Sequence, residues 1–149
     1  MAGRLGSIDD AKFAPPALDA ALPRPALRAQ MQALAVPCKW LHGVSGAGKS
    51  TLAADYARSR AMPGLWYRFD TRDAEPGFFF TEFSRGVGGR APLRRALPRF
   101  SDADRAQVRD FALRFFAAAL AAFGRPALLV FDDVQQVAGT PTATALAAL

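Results

Sequence analysis

Val36-Pro37-Cys38-Lys39-Trp40-Leu41-His42, Gly43-Val44-Ser45-Gly46-Ala47-Gly48-Lys49-Ser50 and Thr51-Leu52-Ala53-Ala54-Asp55-Tyr56 follow one another without a break and decide how this chain reads. The first run is short and apolar and reads as a buried strand, Val36–His42. The second fits G-x-x-x-x-G-K-[ST] at every fixed position. The third opens a helix, Lys49–Arg60, with apolar Leu52, Ala53, Tyr56 and Ala57 at helical spacing and Pro63-Gly64 as its stop. Strand, glycine loop and helix are the context in which such a loop holds phosphate. Glycines let the backbone turn tightly around an anion with no Cβ in the way. The loop N–H groups then face inward as a nest, and the helix start adds unpaired donors and the positive end of its dipole. The candidate phosphate-binding residues are therefore Gly43, Val44, Ser45, Gly46, Ala47, Gly48, Lys49, Ser50 and Thr51. Lys49 supplies a point charge, and Ser50 has the short hydroxyl suited to Mg²⁺.

Outward from the loop, strands and helices alternate. Ala26–Leu34 reads as a short helix after Pro15, Pro16, Pro23 and Pro25. Leu65–Phe69 reads as a second strand and Pro76–Gly86 as a helix carrying Phe79, Phe80 and Phe83. Ser101 caps a long helix whose stripe is Leu113, Phe116, Leu120 and Phe123. Ala127–Phe131 is a third strand, and a last helix starts after Gly139-Thr140-Pro141. The expected fold is α/β: a P-loop NTPase three-layer sandwich on a parallel sheet, with about three strands present and the later ones missing. Residues 1–35 form a lead-in, and 36–149 the N-terminal part of that domain. Strand three ends in Asp132-Asp133, where ligands of open α/β sheets sit. Asp132 can hold Mg²⁺ through a water, or serve as a strand-end turn acid. Asp133 can orient or deprotonate an attacking water, or cap a helix.

Composition narrows the class. The chain has 149 residues, 51% of them hydrophobic, enough for one domain with a core. Nineteen Lys and Arg against 13 Asp and Glu give a net charge of +6. The densest basic stretch, Arg85, Arg90, Arg94, Arg95 and Arg99, lacks interleaved aromatics and reads as a solvated face, not a nucleic-acid patch. One cysteine, Cys38, rules out an internal disulfide and reads as a small buried residue. No apolar run reaches the ~18–20 residues of a membrane span, and the first ten residues carry no secretory h-region, so a cytoplasmic protein is expected. There is no Asn-Lys-x-Asp for guanine, no Leu-Ser-Gly-Gly-Gln of an ABC ATPase, and no arginine-rich lid beyond Arg125 as in small-molecule kinases. Trp40 and Trp66 read as strand packing residues, and one of Phe78, Phe79 and Phe80 is expected outside the core.

Four stretches together resemble the ATPase segment of the STAND class of P-loop proteins, in particular the large LuxR-type bacterial regulators related to the maltose activator. They are the lead-in Lys12-Phe13-Ala14-Pro15-Pro16 with Leu22-Pro23-Arg24-Pro25-Ala26-Leu27, the loop and helix Gly43 to Ala57, the run Leu65-Trp66-Tyr67-Arg68-Phe69-Asp70 with Asp73, Pro76, Phe79 and Phe83, and Leu128 to Val134. The resemblance implies an ATP/ADP-binding, Mg²⁺-dependent signalling ATPase, a nucleotide switch in a transcriptional regulator. Lys49 and Asp133 would be its catalytic residues, Ser50 and Asp132 would serve the metal, and Arg24 would lie near the adenine. It also implies self-association of the full-length protein and DNA binding only through downstream domains absent from these residues, so the chain is expected to be a fragment. A small-molecule kinase and a non-hydrolysing nucleotide-binding fragment are the alternatives. In the STAND class the loop strand is not a neighbour of the acidic strand. In kinases the two pair directly, which here would join Trp40 and Leu41 to Leu129 and Val130.

Overall fold

A computed structural model of the chain describes residues 8–91, 96–124 and 126–149; Arg94, Arg95, Arg125 and the first seven residues lie outside them. The chain forms two compact units, one of residues through Ala14 with Pro63–Leu149, the other Pro15–Met62. The regular elements among the described residues are α1 (Pro25–Ala33), α2 (Lys49–Arg60), β1 (Gly64–Arg68), α3 (Pro76–Arg90), α4 (Val108–Ala122), β2 (Leu128–Asp132) and α5 (Pro141–Leu146). Short 3₁₀ turns cover Ile8–Phe13, Thr71–Ala74, Asp102–Gln107 and Val134–Val137.

The larger unit is built on a parallel pair. β1 runs beside β2 with Leu65 opposite Leu129, Trp66 opposite Val130 and Tyr67 opposite Phe131. The two-residue period sends Leu65, Tyr67, Leu129 and Phe131 to one face, where they meet the phenylalanines of α3 and α4. Phe80 is the hub of that contact, edge-on to Phe111 and to Phe115 at 4.7 Å each. Such aromatic pairs contribute ~0.5–1.5 kcal/mol beyond the area they bury. Two glycines permit close approach. A Cβ on Gly64 would run into the carbonyl oxygen of Leu128, and one on Gly86 into the Phe13 ring.

A charged cluster fastens the start of the chain to this core. Lys12 Nζ donates to Asp73 at 2.6 Å and to Asp70 at 2.7 Å. Asp73, fully buried, also accepts from the Tyr67 hydroxyl at 2.6 Å and from the Asp70 amide at 2.8 Å. Burial first, and the Asp73 carboxylate second, push the Tyr67 hydroxyl far above its ordinary pKa, so it stays a donor. Phe13 follows Lys12 into the core, with Arg85 and Arg90 guanidinium groups 4.8 and 5.0 Å from its ring centre. Asp70 accepts from the Arg72 amide and forms a reciprocal cap with Asp73, so its role is to cap the Thr71–Ala74 turn.

The structure corrects the expected sheet. It has two strands among the described residues, not three. Val36–His42 is not a strand: Val36 is 47% and Trp40 72% exposed, and Cys38 is exposed too. Pro37 removes a ladder donor near the start of this run, and Lys39 Nζ instead donates to the Val36 carbonyl. The ladder that would have marked the kinase arrangement is therefore not formed. The α4 stripe also differs. Phe111, Phe115, Phe116, Ala119 and Phe123 face inward, while Leu113 and Leu120 face out. Two adjacent phenylalanines outweigh two leucines in buried area, and the buried Ala112, Ala119 and Ala122 let the helix approach closely. Of the three consecutive phenylalanines, Phe79 and Phe80 are buried, and Phe78 is half-buried beneath the cations of Lys12 and Arg72.

Candidate functional site: a glycine loop at a helix start

The smaller unit carries the loop. Gly46 and Gly48 both sit at φ 77°, a left-handed conformation that side chains rarely adopt. The Ala47 amide donates back to the Val44 carbonyl, closing a tight turn. Gly48 is the N-cap of α2, and Leu52 N–H donates to its carbonyl at 2.9 Å as the first helical bond. The start of α2 has no side-chain cap and no acidic residue in its first turn. A helix start left in this state keeps its unpaired donors and its partial positive charge for an anion. Sequence and structure agree on the bounds of this helix, Lys49–Arg60.

Lys49 turns back over the loop. Its ammonium donates to the carbonyls of Gly43 at 2.9 Å and Val44 at 2.8 Å. Both acceptors are neutral, and hydrogen bonds to an ionised oxygen are roughly twice as strong. A phosphate arriving in the loop therefore competes well for this ammonium. Ser50 and Thr51, the second and third residues of α2, are half-buried at the same end.

Arg24 reaches the loop from the lead-in. Its Nη1 donates to the Ala47 carbonyl at 2.8 Å, and its Nη2 would lie 3.3 Å from a Cβ built on Gly48. Beyond it an open cleft of about 470 Å³ runs along the flank of α2. Leu22, Pro23 and Leu52 supply apolar wall, and Arg28, Asp55 and Arg58 supply charge. Clefts of ~300–1,000 Å³ with such mixed walls are the usual size for small ligands. The motif located the loop but not this cleft, because Arg28 and Asp55 belong to no fixed pattern. The one available signal was Asp55 at helical spacing from Gly48, Thr51 and Leu52.

The paired acids lie in the larger unit. Asp132 ends β2, with its side chain 12% exposed and Arg68 Nε 3.5 Å from Oδ2. Asp132 Oδ1 accepts from the Asp133 amide at 3.1 Å. Asp133 stands at φ 57°, accepts from Gln135 Nε2 at 3.0 Å and lies 3.9 Å from Arg68. Its carboxylate makes no cap bond to the 3₁₀ turn that follows, so the helix-cap role weighed for it is not realised. Among the described residues no three His, Cys, Asp or Glu side chains gather as a metal-binding group. Mg²⁺ usually keeps several waters and takes few protein ligands beside phosphate oxygens, and the Ser50 hydroxyl fits that manner of binding.

No family model, no curated protein and no solved structure matches this chain. No helix among the described residues is long and apolar enough to cross a membrane.

Proposed function

We propose that the chain is a P-loop NTPase segment that binds ATP or ADP with Mg²⁺, and that it acts as the nucleotide switch of a signalling ATPase in a bacterial regulator. The observation that carries the reading is the loop itself: two left-handed glycines, a helix start without a side-chain cap, and an ammonium held over the loop by two carbonyls. The cleft beside it has room for a nucleoside. In this reading the residues from Gly43 to Thr51 hold the phosphates, and Lys49 neutralises their charge. The Ser50 hydroxyl serves the metal, which supplies charge neutralisation at the phosphates when bound. Asp132 belongs to the metal's outer shell, and Asp133 is the candidate base toward water.

The test is a titration of a fluorescent ATP analogue into the wild type and Lys49→Ala. Loss of one charge-assisted contact corresponds to ~1.5–3 kcal/mol, or roughly 10–150-fold in affinity. An unchanged far-ultraviolet spectrum with weakened binding supports the assignment. Equal affinity in the two proteins removes it.

A further inference from the structure

The Arg28–Asp55 pair offers more hydrogen-bonding capacity than it uses. Arg28 Nη1 lies 3.1 Å from both oxygens of Asp55, so a single nitrogen serves the whole carboxylate. Nε and Nη2 of Arg28 make no other hydrogen bond among the described residues. A saturated structural bridge between these groups would be bidentate, with two parallel N–H donors. The two side chains are 37% and 21% exposed and line the same cleft as Gly48, Thr51 and Leu52. Asp55 is seven residues beyond Gly48, which at the helical rise places it about 10 Å along α2 from the loop. A nucleoside extending along the cleft from phosphates held by the loop meets this pair with the far edge of its base.

We infer that Arg28 and Asp55 read the edge of a 6-aminopurine, with Asp55 accepting from the exocyclic amino group and a free Arg28 nitrogen donating to ring N1. This rests on the nucleotide reading of the loop. The bonding pattern favours adenine over guanine. Nη1 spans both oxygens and so uses the side of the carboxylate on which two parallel donors would dock. What remains on each oxygen is an outer lone pair, suited to one N–H. Adenine offers one acceptor and one amino donor side by side. Guanine presents an acceptor and two parallel donors, and needs the carboxylate face that Arg28 already holds. Arg24 and Arg58, the other charges on the cleft wall, add no acceptor for the second guanine donor.

The experiment compares Mg²⁺-bound ATP, GTP and the triphosphate of purine riboside, which lacks only the 6-amino group, by calorimetric titration into the full chain. The wild type is expected to bind ATP about tenfold more tightly than the purine analogue, as for one hydrogen bond at a half-exposed site. In Asp55→Ala that ratio falls to about one, while Asp55→Asn, which keeps an acceptor oxygen, retains part of it. A purely structural ion pair would lower affinity for both nucleotides alike and leave the ratio unchanged. Equal wild-type affinity for ATP and the purine analogue overturns the inference, as does tighter binding of GTP, and neither result depends on a variant folding. Lys49→Ala separates the two levels. If ATP binding responds to Lys49 but ignores the 6-amino group, the loop reading stands and the base-reading inference falls. If ATP does not bind, or binds without regard to Lys49, both fall.

Discussion

Asp133 occupies the left-handed region at φ 57° and ψ 35°, where a Cβ costs ~1–2 kcal/mol except in residues such as Asn and Asp that can bond locally. Asp133→Ala therefore lowers stability by about 1 kcal/mol and Asp133→Gly does not, read as urea midpoints. Asp133→Asn keeps the backbone preference, so it tests the proposed chemistry alone: the variant should bind ATP normally and turn it over ~10²–10⁴-fold more slowly. Unchanged turnover would place water activation elsewhere. Lys12 makes a second residue-scale test. It is the cation beside fully buried Asp73, and Lys12→Met leaves that carboxylate uncompensated, a loss of ~3–5 kcal/mol. The same cluster sets a pH dependence. The Arg72 side chain, then Lys12 and the Arg72 amide, hold Asp70 well below the usual carboxylate range against a smaller opposing effect of burial. Glu75 is lowered as well: burial opposes the shift, but the amides of Phe78 and Gly77 and the Arg105 side chain outweigh it. With folded pKa values below unfolded ones, the unfolded chain binds more protons near pH 4. Stability present above the unfolded value is then lost as pH falls from about 5 through that range. The melting temperature should drop over that window, and Asp70→Asn should lower it at neutral pH and flatten the drop. A melting temperature that rose on acidification would contradict this account.

Helix α3 shows at the scale of an element how two glycines in one helix differ. Gly86 faces inward, where a Cβ would strike the Phe13 ring and approach Leu65 Cδ1, while Gly88 has open space around it. Gly86→Ala gains helix propensity of ~1 kcal/mol but overpacks a core of rings at ~1–3 kcal/mol, so it destabilises. Gly88→Ala takes the propensity gain alone and should raise the melting temperature. The reverse order would mean that α3 packs differently. Elements whose pattern is set locally were legible in the sequence. α2 was marked by its loop and by Pro63-Gly64, and α3 by Pro76 and its phenylalanines, whereas Ser101, expected to cap the long helix, caps the Asp102–Gln107 turn and α4 begins at Val108. Features that depend on a distant partner were not. An apolar run such as Val36–His42 becomes a strand only if another strand pairs with it, and no such ladder forms here. In α4 a regular leucine and phenylalanine period pointed to one face, while the ring contacts with α3 selected another.

For the whole molecule, the mixed α/β class was legible from alternating patterns, and the division into two units was not. Residues through Ala14 belong to the same unit as the sheet, held there by Lys12 and Phe13, yet nothing near Lys12 in the sequence points to Asp70 and Asp73 some 60 positions on. The site divides in the same way. The left-handed glycines of the loop and the helix after it were legible because eight consecutive residues, Gly43 to Ser50, set them. Arg28 and Asp55 were not, because only packing of the lead-in against α2 brings them to one cleft. Under the proposed function the loop amides of Gly46, Gly48 and Lys49 receive the phosphates of a nucleotide. The most direct measurement is a two-dimensional ¹⁵N–¹H spectrum of the full chain recorded with increasing Mg²⁺-bound ATP. Saturable shifts are expected, centred on those three amides, extending to Thr51 and Leu52, and abolished at the same concentrations in Lys49→Ala. Undisturbed loop amides at saturating ATP, or shifts confined to residues outside Arg24 to Arg58, would contradict the proposed function.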